Sequence, residues 1–220
     1  YLRLLWILSA WENKGIRVIN SARGILSQNE KIAAYEHISA LPTFIGSGLD
    51  SLKPYWEEQH RQGVQEFIFK PLDLFQGIGV EKVSSENWKS FSEKFLIKTH
   101  EIAGPVVVQP FFAAVAQGEI RSIYFAGKEL GSIIKRPKAG EFLANIAQGA
   151  SYEKIELNEV QKKNCDEVAV AQMQKGVYWL AFDILGDSLS EINCTCPGLL
   201  VEVSHAWEKN LAEAVVRSLA

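Results

Sequence analysis

The chain has 220 residues, 47% of them hydrophobic and 22% charged, which suits one large or two small domains with an ordinary core. A formal net charge of −3 gives no general electrostatic reason to bind nucleic acid or an anionic membrane. Three cysteines, Cys165, Cys194 and Cys196, make an odd number that argues against a disulfide framework and fits a reducing cytosol. The opening run Tyr1–Leu8 is apolar but interrupted by Arg3, is too short to span a bilayer and lacks a small-residue cleavage pattern. It reads as an amphipathic helix, and a chain opening directly on such a helix is expected to start inside a larger domain.

In chain order, the first helix ends at Gly15 and a short strand is expected over Arg17–Asn20. Ser27-Gln28-Asn29-Glu30 has capping-box spacing and predicts a helix from about Gln28 to Ala40, stopping before Pro42. A short strand near Thr43–Gly46 precedes a helix over Leu49–Gln62. Glu66–Leu72 reads as a strand with Val80–Ser84 as its hairpin partner, across a loop holding Gly77 and Gly79. Ser85–His100 follows as a helix, and Pro105–Phe112 as a buried strand. Arg121–Phe125 and Gly131–Lys135 read as two strands joined at Gly127-Lys128. A long helix over Leu157–Lys175 leads to strands Val177–Leu185 and Ser190–Cys194, joined by Gly186-Asp187. A last helix is expected over Val201–Leu219. Hairpins mixed with helices predict an α+β fold.

The strongest local signal is Asp183…Glu191-Ile192-Asn193. On adjacent strands, two carboxylates and an amide oxygen on one face would suit Mg²⁺, which takes hard oxygen ligands and shares them with substrate phosphates. On geometry alone a solvated hairpin with incidental acids is about as plausible. Lys70 ends the apolar strand Phe67-Ile68-Phe69, just before a glycine-containing loop. It is placed to meet an anion, although a strand-end lysine reaching water is commoner. Lys31, in the first helical turn, opposes the helix dipole, so an anionic partner is worth weighing. Val106–Phe112, with Gln109, Phe111 and Phe112, could form one wall of a flat adenine pocket, but taken by itself it reads rather as an ordinary core strand. Cys194 and Cys196 read as small buried residues beside this site, and no histidine is assigned a catalytic role.

The order of these segments resembles the glutathione synthetase branch of the ATP-grasp family, over nearly the whole chain. Asn29-Glu30-Lys31 is similar to that family's first nucleotide-binding lysine, and Lys70-Pro71-Leu72-Asp73 to its phosphate-contacting strand. Gln109 with Phe111 and Phe112 looks like its adenine-lining hinge. Gly118-Glu119-Ile120-Arg121 is similar to its Gly-Asp-x-Arg, whose arginine meets the γ-phosphate or acyl phosphate. Asp183…Glu191-Ile192-Asn193 resembles its magnesium motif, including the eight-residue step from Asp to Glu.

The resemblance implies two α+β subdomains sandwiching ATP and Mg²⁺. Arg121 and Asn145 would be catalytic; Lys31, Lys70, Gly77, Gln109, Phe111, Phe112 and Glu119 would bind nucleotide; Asp183, Glu191 and Asn193 would hold the metal. The implied reaction is amide formation through an acyl phosphate, with γ-glutamylcysteine and glycine as first-guess substrates, in a cytoplasmic homo-oligomer. Residues 1–26 would be the remnant of a preceding α/β domain, 27–104 the first subdomain and 105–220 the second.

Two departures stand out. The loop Leu74–Gly79 has fewer glycines than the family's, and Leu143 stands where an arginine clamp is expected. They keep open an alternative, a catalytically impaired nucleotide-binding module or partner subunit.

Overall fold

Strand periodicity sorts the chain into two antiparallel sheets, each with helices on it. The structure is a computed structural model that describes residues 1–74, 77–141, 144–146 and 149–219. Leu143, and the Phe75-Gln76 part of the loop Leu74–Gly79, lie outside the described residues. By packing, the chain divides into two units, Leu41–Ala113 on one hand and Tyr1–Ala40 with Ala114–Ala220 on the other.

The smaller unit holds strands β1 (Phe44–Gly46), β2 (Glu66–Pro71), β3 (Glu81–Ser84) and β4 (Val106–Pro110), with helices α4 (Leu49–Arg61) and α5 (Trp88–Glu101). Its sheet order is β1-β4-β2-β3, antiparallel throughout. Successive strand side chains alternate between faces, so Phe67 and Phe69 of β2 point the same way as Val106 and Val108 of β4. They close a core with Leu52 and Trp56 of α4 and with Phe91 and Phe95 of α5, one helical turn apart. Each such fully buried side chain contributes about 2 kcal/mol. Asn87 caps α5 by accepting from Ser90 N–H at 2.9 Å, and the buried Trp56 indole donates to Ser85 Oγ at 2.7 Å.

The larger unit carries helices α1 (Leu2–Glu12), α2 (Ala22–Leu26), α3 (Glu30–Tyr35), α6 (Glu159–Gln174), α7 (Leu200–Ala206) and α8 (Leu211–Arg217). Its strands are β5 (Glu119–Phe125), β6 (Lys128–Arg136), β7 (Ser151–Ile155), β8 (Trp179–Leu185) and β9 (Ser188–Asn193), in the order β7-β6-β5-β8-β9. One face presents Ile120, Tyr124, Phe182, Ile184 and Ile192 to Ala33 and Ala34 of α3 and to Cys165, Val168 and Ala169 of α6. The opposite face packs Ile123, Ile133 and Ala181 against Val203 of α7 and Leu211 of α8. On that second face the apolar residues stop short, and its other end is polar.

Several expectations are corrected. No strand forms over Arg17–Asn20; instead the Asn20 amide binds strand backbone, donating to Trp179 O and Cys194 O at 2.7 Å and accepting from Tyr178 N–H at 2.8 Å and Trp179 N–H at 2.6 Å. Asn29 rather than Ser27 caps α3, its Oδ1 accepting from Lys31 and Ile32 N–H. The helix ends at Tyr35, not Ala40, because Ser39 O accepts from Leu189 N–H at 3.0 Å and Ala40 bridges to β9. The last helix is two: Glu208 takes φ +53, and Asn210 caps α8 so that Leu211 turns inward. Strand β7 and helix α2 had no clear sequence signal.

The two packing units part after Ala40 and after Ala113. Helix α3, with Lys31, packs on β9. Strand β4, with Gln109, is an inner strand of the smaller sheet. No helix among the described residues is long and apolar enough to cross a membrane.

Asn20 is 7% exposed and all four of its amide hydrogen bonds go to backbone. Asn20→Ala would strand several buried polar groups and is expected to cost about 3 kcal/mol. Urea denaturation of the two proteins measures the difference, and a loss near zero would show that water takes over those bonds.

Candidate functional site

The β8–β9 hairpin turns at Gly186-Asp187, with Gly186 at φ +60, in the left-handed region that favours glycine. Leu185 pairs with Ser188 and Ile184 with Leu189. A regular ladder would next set Asp183 against Ser190 and send Glu191 to the opposite face. A bulge intervenes instead: Ser190 is the extra residue, Asp183 pairs with Glu191, and Ala181 pairs with Asn193. This one-residue insertion brings Asp183, Glu191 and Asn193 to a single face.

On the neighbouring strands of the same face, Arg121 pairs with Asp183 and Lys135 pairs with Glu119. Arg121 Nη2 lies 2.9 Å from Asp183 Oδ2, and Lys135 Nζ lies 2.9 Å from Asp183 Oδ1 and 2.7 Å from Glu119 Oε2. Asn193 Nδ2 donates to Asp183 Oδ2 at 3.1 Å. Lys31, reaching from α3, places Nζ 3.6 Å from Glu191 Oε1.

Asp183 and Lys135 are 6% and 4% exposed. Burial pushes the Asp183 carboxyl pKa up, but Arg121, Lys135 and the hydrogen bonds from Lys135 and Asn193 outweigh it and hold it below the ordinary aspartate range. For Lys135, burial favours the neutral amine, yet Asp183 and Glu119 overcome both that and the repulsion from Arg121, so its pKa is raised. Asp183 is thus held as the carboxylate and Lys135 as the ammonium, and among the described residues Glu119 pairs with Lys135 and Glu191 with Lys31. Arg121 Nε is buried and has no hydrogen-bond partner among the described residues.

Among the described residues, no group of three or more His, Cys, Asp and Glu side chains is placed to hold a metal ion. The oxygen donors of Asp183 and Glu191, with the Asn193 amide, fit Mg²⁺, which uses a few carboxylates and completes its shell with water or phosphate. They do not fit a zinc site, which wants imidazole and thiolate.

Lys135 belongs to this cluster more intimately than its sequence context indicated; only its place opposite Glu119 in the β5–β6 hairpin could have signalled it. The thiols stand apart. Cys165 and Cys194 are buried in the core, the Cys194 thiol pushed up to about 12 by burial and by the charge of Glu30. Cys196 is exposed, against the expectation that it is buried.

The other candidates lie elsewhere. In the smaller unit, Lys70 is half-buried on β2 opposite Val107. Gln109 is buried and donates through Nε2 to Thr43 Oγ1 at 2.9 Å. Lys82 Nζ sits 3.8 Å from the Phe111 ring centroid, Phe112 is half-buried, and Gly77 takes φ +77 in the loop after β2. Asn145, in the larger unit, is half-buried between β6 and β7, its carbonyl accepting from Ala150 N–H at 3.2 Å.

Residues 30–208 match the family described as "Prokaryotic glutathione synthetase, ATP-grasp domain". The chain is 31% identical over 221 residues to the glutathione synthetase of Prochlorococcus marinus subsp. pastoris, aligning in full with 70% of that protein. It is 31% identical to the glutathione synthetase of Parasynechococcus marenigrum, with the same coverage. Among solved structures, D-cycloserine synthetase DcsG is similar with a TM-score of 0.70 at 18% identity, over 99% of this chain and 80% of that one. The D-alanine–D-alanine ligase of Bacillus anthracis complexed with ATP is similar with a TM-score of 0.62 at 19% identity, over 96% of this chain and 72% of that one.

The depressed pKa of Asp183 fixes a pH dependence. The contribution of its carboxylate to stability is present above the ordinary aspartate value of 3.8 and is lost as pH falls through the lower folded value. Lys135, whose pKa is raised from 10.5, contributes below 10.5, and that contribution is lost as pH rises through its folded value. Asp183→Asn should therefore flatten stability against pH below about 4, and should destabilise the fold at neutral pH by about 3 kcal/mol because it leaves Arg121 without its carboxylate partner and Lys135 with Glu119 alone. Thermal melts from pH 2 to 8 (a range of roughly the carboxylate titration) test this, and parallel curves for both proteins would contradict the ionised assignment.

Proposed function

This chain belongs to the ATP-grasp domain family of prokaryotic glutathione synthetases, carbon–nitrogen ligases of a kind that uses ATP with Mg²⁺, and from that premise we propose that it forms an amide through an acyl phosphate. γ-Glutamylcysteine is the proposed acid and glycine the proposed amine, following the relatives' name. The observation that carries the reading is the single face on which Asp183, Glu191 and Asn193 stand beside Arg121 and Lys135.

In the proposed reaction, a substrate carboxylate oxygen attacks the γ-phosphorus and ADP leaves. The amine nitrogen then attacks the acyl carbon, and inorganic phosphate departs as the carbon–oxygen bond breaks. Arg121 and Lys135 offer fixed positive charge to the transferring phosphoryl group, and the unpartnered Nε of Arg121 is a ready donor for one of its oxygens. Asp183 and Glu191, with the Asn193 amide, would hold Mg²⁺, which when bound neutralises phosphate charge. Lys31 is assigned to phosphate on the larger unit. Lys70 and Gly77 are assigned to phosphate on the smaller unit, and Gln109, Phe111 and Phe112 to the adenine. Glu119 acts by orienting Lys135. Asn145 is assigned to the transferring phosphoryl group. No protein nucleophile is required, in keeping with the buried, protonated Cys165 and Cys194.

The ion pairs of the face couple metal to nucleotide. Asp183 and Glu191 are already engaged by cations, so a bare divalent cation gains less there than one that brings phosphate for Arg121 and Lys135. Metal and nucleotide supply each other's counter-charge. Mn²⁺ is accordingly expected to bind at least about tenfold more tightly with a non-hydrolysable ATP analogue than without it, a coupling of about 1.4 kcal/mol. Equal affinities in a calorimetric titration would contradict this balance.

Phosphate release should require the acid, the amine, ATP and Mg²⁺ together. Asp183→Asn should lower kcat by at least about a hundredfold, and Lys70→Ala should chiefly raise the KM for ATP. Nucleotide binding without turnover in any acid–amine mixture would leave a binding module in place of a ligase.

A further inference from the structure

Two consecutive residues of α3 engage the strand that carries Glu191 and Asn193. Lys31 pairs with the Glu191 side chain. Its neighbour Glu30 takes hold of the backbone: Oε1 accepts from Cys194 N–H at 2.7 Å and from Thr195 N–H at 2.5 Å. Pairing of β9 with β8 ends at Asn193, so these two N–H groups lie where the ladder no longer supplies acceptors. Two successive amides converging on one anionic oxygen form a tight, directional grip. The Cys194 peptide is held from its other side as well, its carbonyl accepting from Asn20 Nδ2 at 2.7 Å.

The helix does not need Glu30 as a cap. Asn29 already satisfies the first free N–H groups of α3, at residues 31 and 32. An acid at this position would favour the helix dipole from any rotamer, whereas this one reaches out to a strand more than 160 residues further along the chain. The strand it reaches is also the one whose bulge sets the direction of Glu191 and Asn193. A strand end free to fray would let the bulge relax and move both side chains off Asp183.

We propose that Glu30 is a positioning residue for the metal-holding strand: its carboxylate clamps the Cys194 and Thr195 amides and so keeps Glu191 and Asn193 aligned with Asp183. The proposal rests on the metal assignment made above. Glu30 touches neither metal nor substrate. Its effect is transmitted through backbone, as outer hydrogen-bond partners commonly tune the metal affinity of the residues they orient.

The test measures Mn²⁺ binding by electron paramagnetic resonance in the presence of adenylyl imidodiphosphate, with Tm recorded for every protein. Glu30→Asp keeps the charge and shortens the reach, Glu30→Gln keeps the reach and the acceptor oxygen, and Glu30→Ala removes both. Glu30→Asp and Glu30→Ala are expected to bind Mn²⁺ about tenfold more weakly, with Glu30→Gln within about threefold of the unsubstituted protein. Unchanged affinity in Glu30→Asp, whatever its Tm, would overturn the proposal by making the contact purely structural. Loss in Glu30→Gln with none in Glu30→Asp would also overturn it, since charge and not the backbone grip would then be acting. Should Glu30→Ala fail to fold, the other two variants decide. If the unsubstituted protein binds no Mn²⁺, the metal assignment itself falls and this proposal with it, an outcome distinct from the others.

Discussion

An ionised carboxylate at the depth of Asp183 survives only in the company of cations, and the larger unit is arranged around that requirement. Arg121 comes from β5 and Lys135 from β6, on the two strands that precede β8 across the sheet. Asp183 is the carboxylate partner of Arg121 and one of two for Lys135, and each cation is placed by strand register rather than by a flexible loop. The three central strands of the sheet are thereby tied by charge at one end and by Ile123, Ile133 and Ala181 at the other. Such an arrangement is costly as mere scaffolding, because a well-packed apolar face of the same size would generally be as stable or more so. It suits the function proposed above, in which charge fixed in advance would lessen reorganisation during phosphoryl transfer.

The packing of α3 follows from the same need. Its buried side, Ala33 and Ala34, is small and lets the helix approach the sheet closely. That approach allows Glu30 and Lys31 to address β9 with their side chains, one at the backbone and one at Glu191. A longer residue in place of either alanine would lift the helix and both contacts with it. In the smaller unit the logic is different. An aromatic core of Trp56, Phe67, Phe69, Phe91 and Phe95 fixes a four-stranded sheet, and Lys70 and Gln109 are presented from neighbouring strands of that sheet.

Much of the fold was legible in the sequence where a local rule had no competitor. The aromatic alternation of Phe67 and Phe69, the apolar spacing of α4 to α6 and the Gly186-Asp187 turn each led to the observed element. The reading failed where a side chain satisfied backbone at long range. Asn20 replaces an expected strand by binding two strands through its amide. Glu30, which completed an attractive capping-box pattern, bonds to residues 194 and 195 instead. Asn210 divides what periodicity read as one helix, because the packing of Leu211 against the sheet requires a change of direction.

By itself the sequence determined the chemistry available: hard oxygen donors at Asp183, Glu191 and Asn193, cations at Lys31, Lys70 and Arg121, and a family order linking them. It also determined that Asp183 and Glu191 would lie on adjacent strands. Whether they faced each other was decided only in three dimensions. A two-residue turn with regular pairing sets residue 183 against residue 190, and the side-chain period of two would then have sent Glu191 to the wrong side of the sheet. The bulge at Ser190 restores the match. A bulge is a compromise among hydrogen bonds, twist and the packing of both faces, made by residues distant in the chain, and no local pattern of residue types records it.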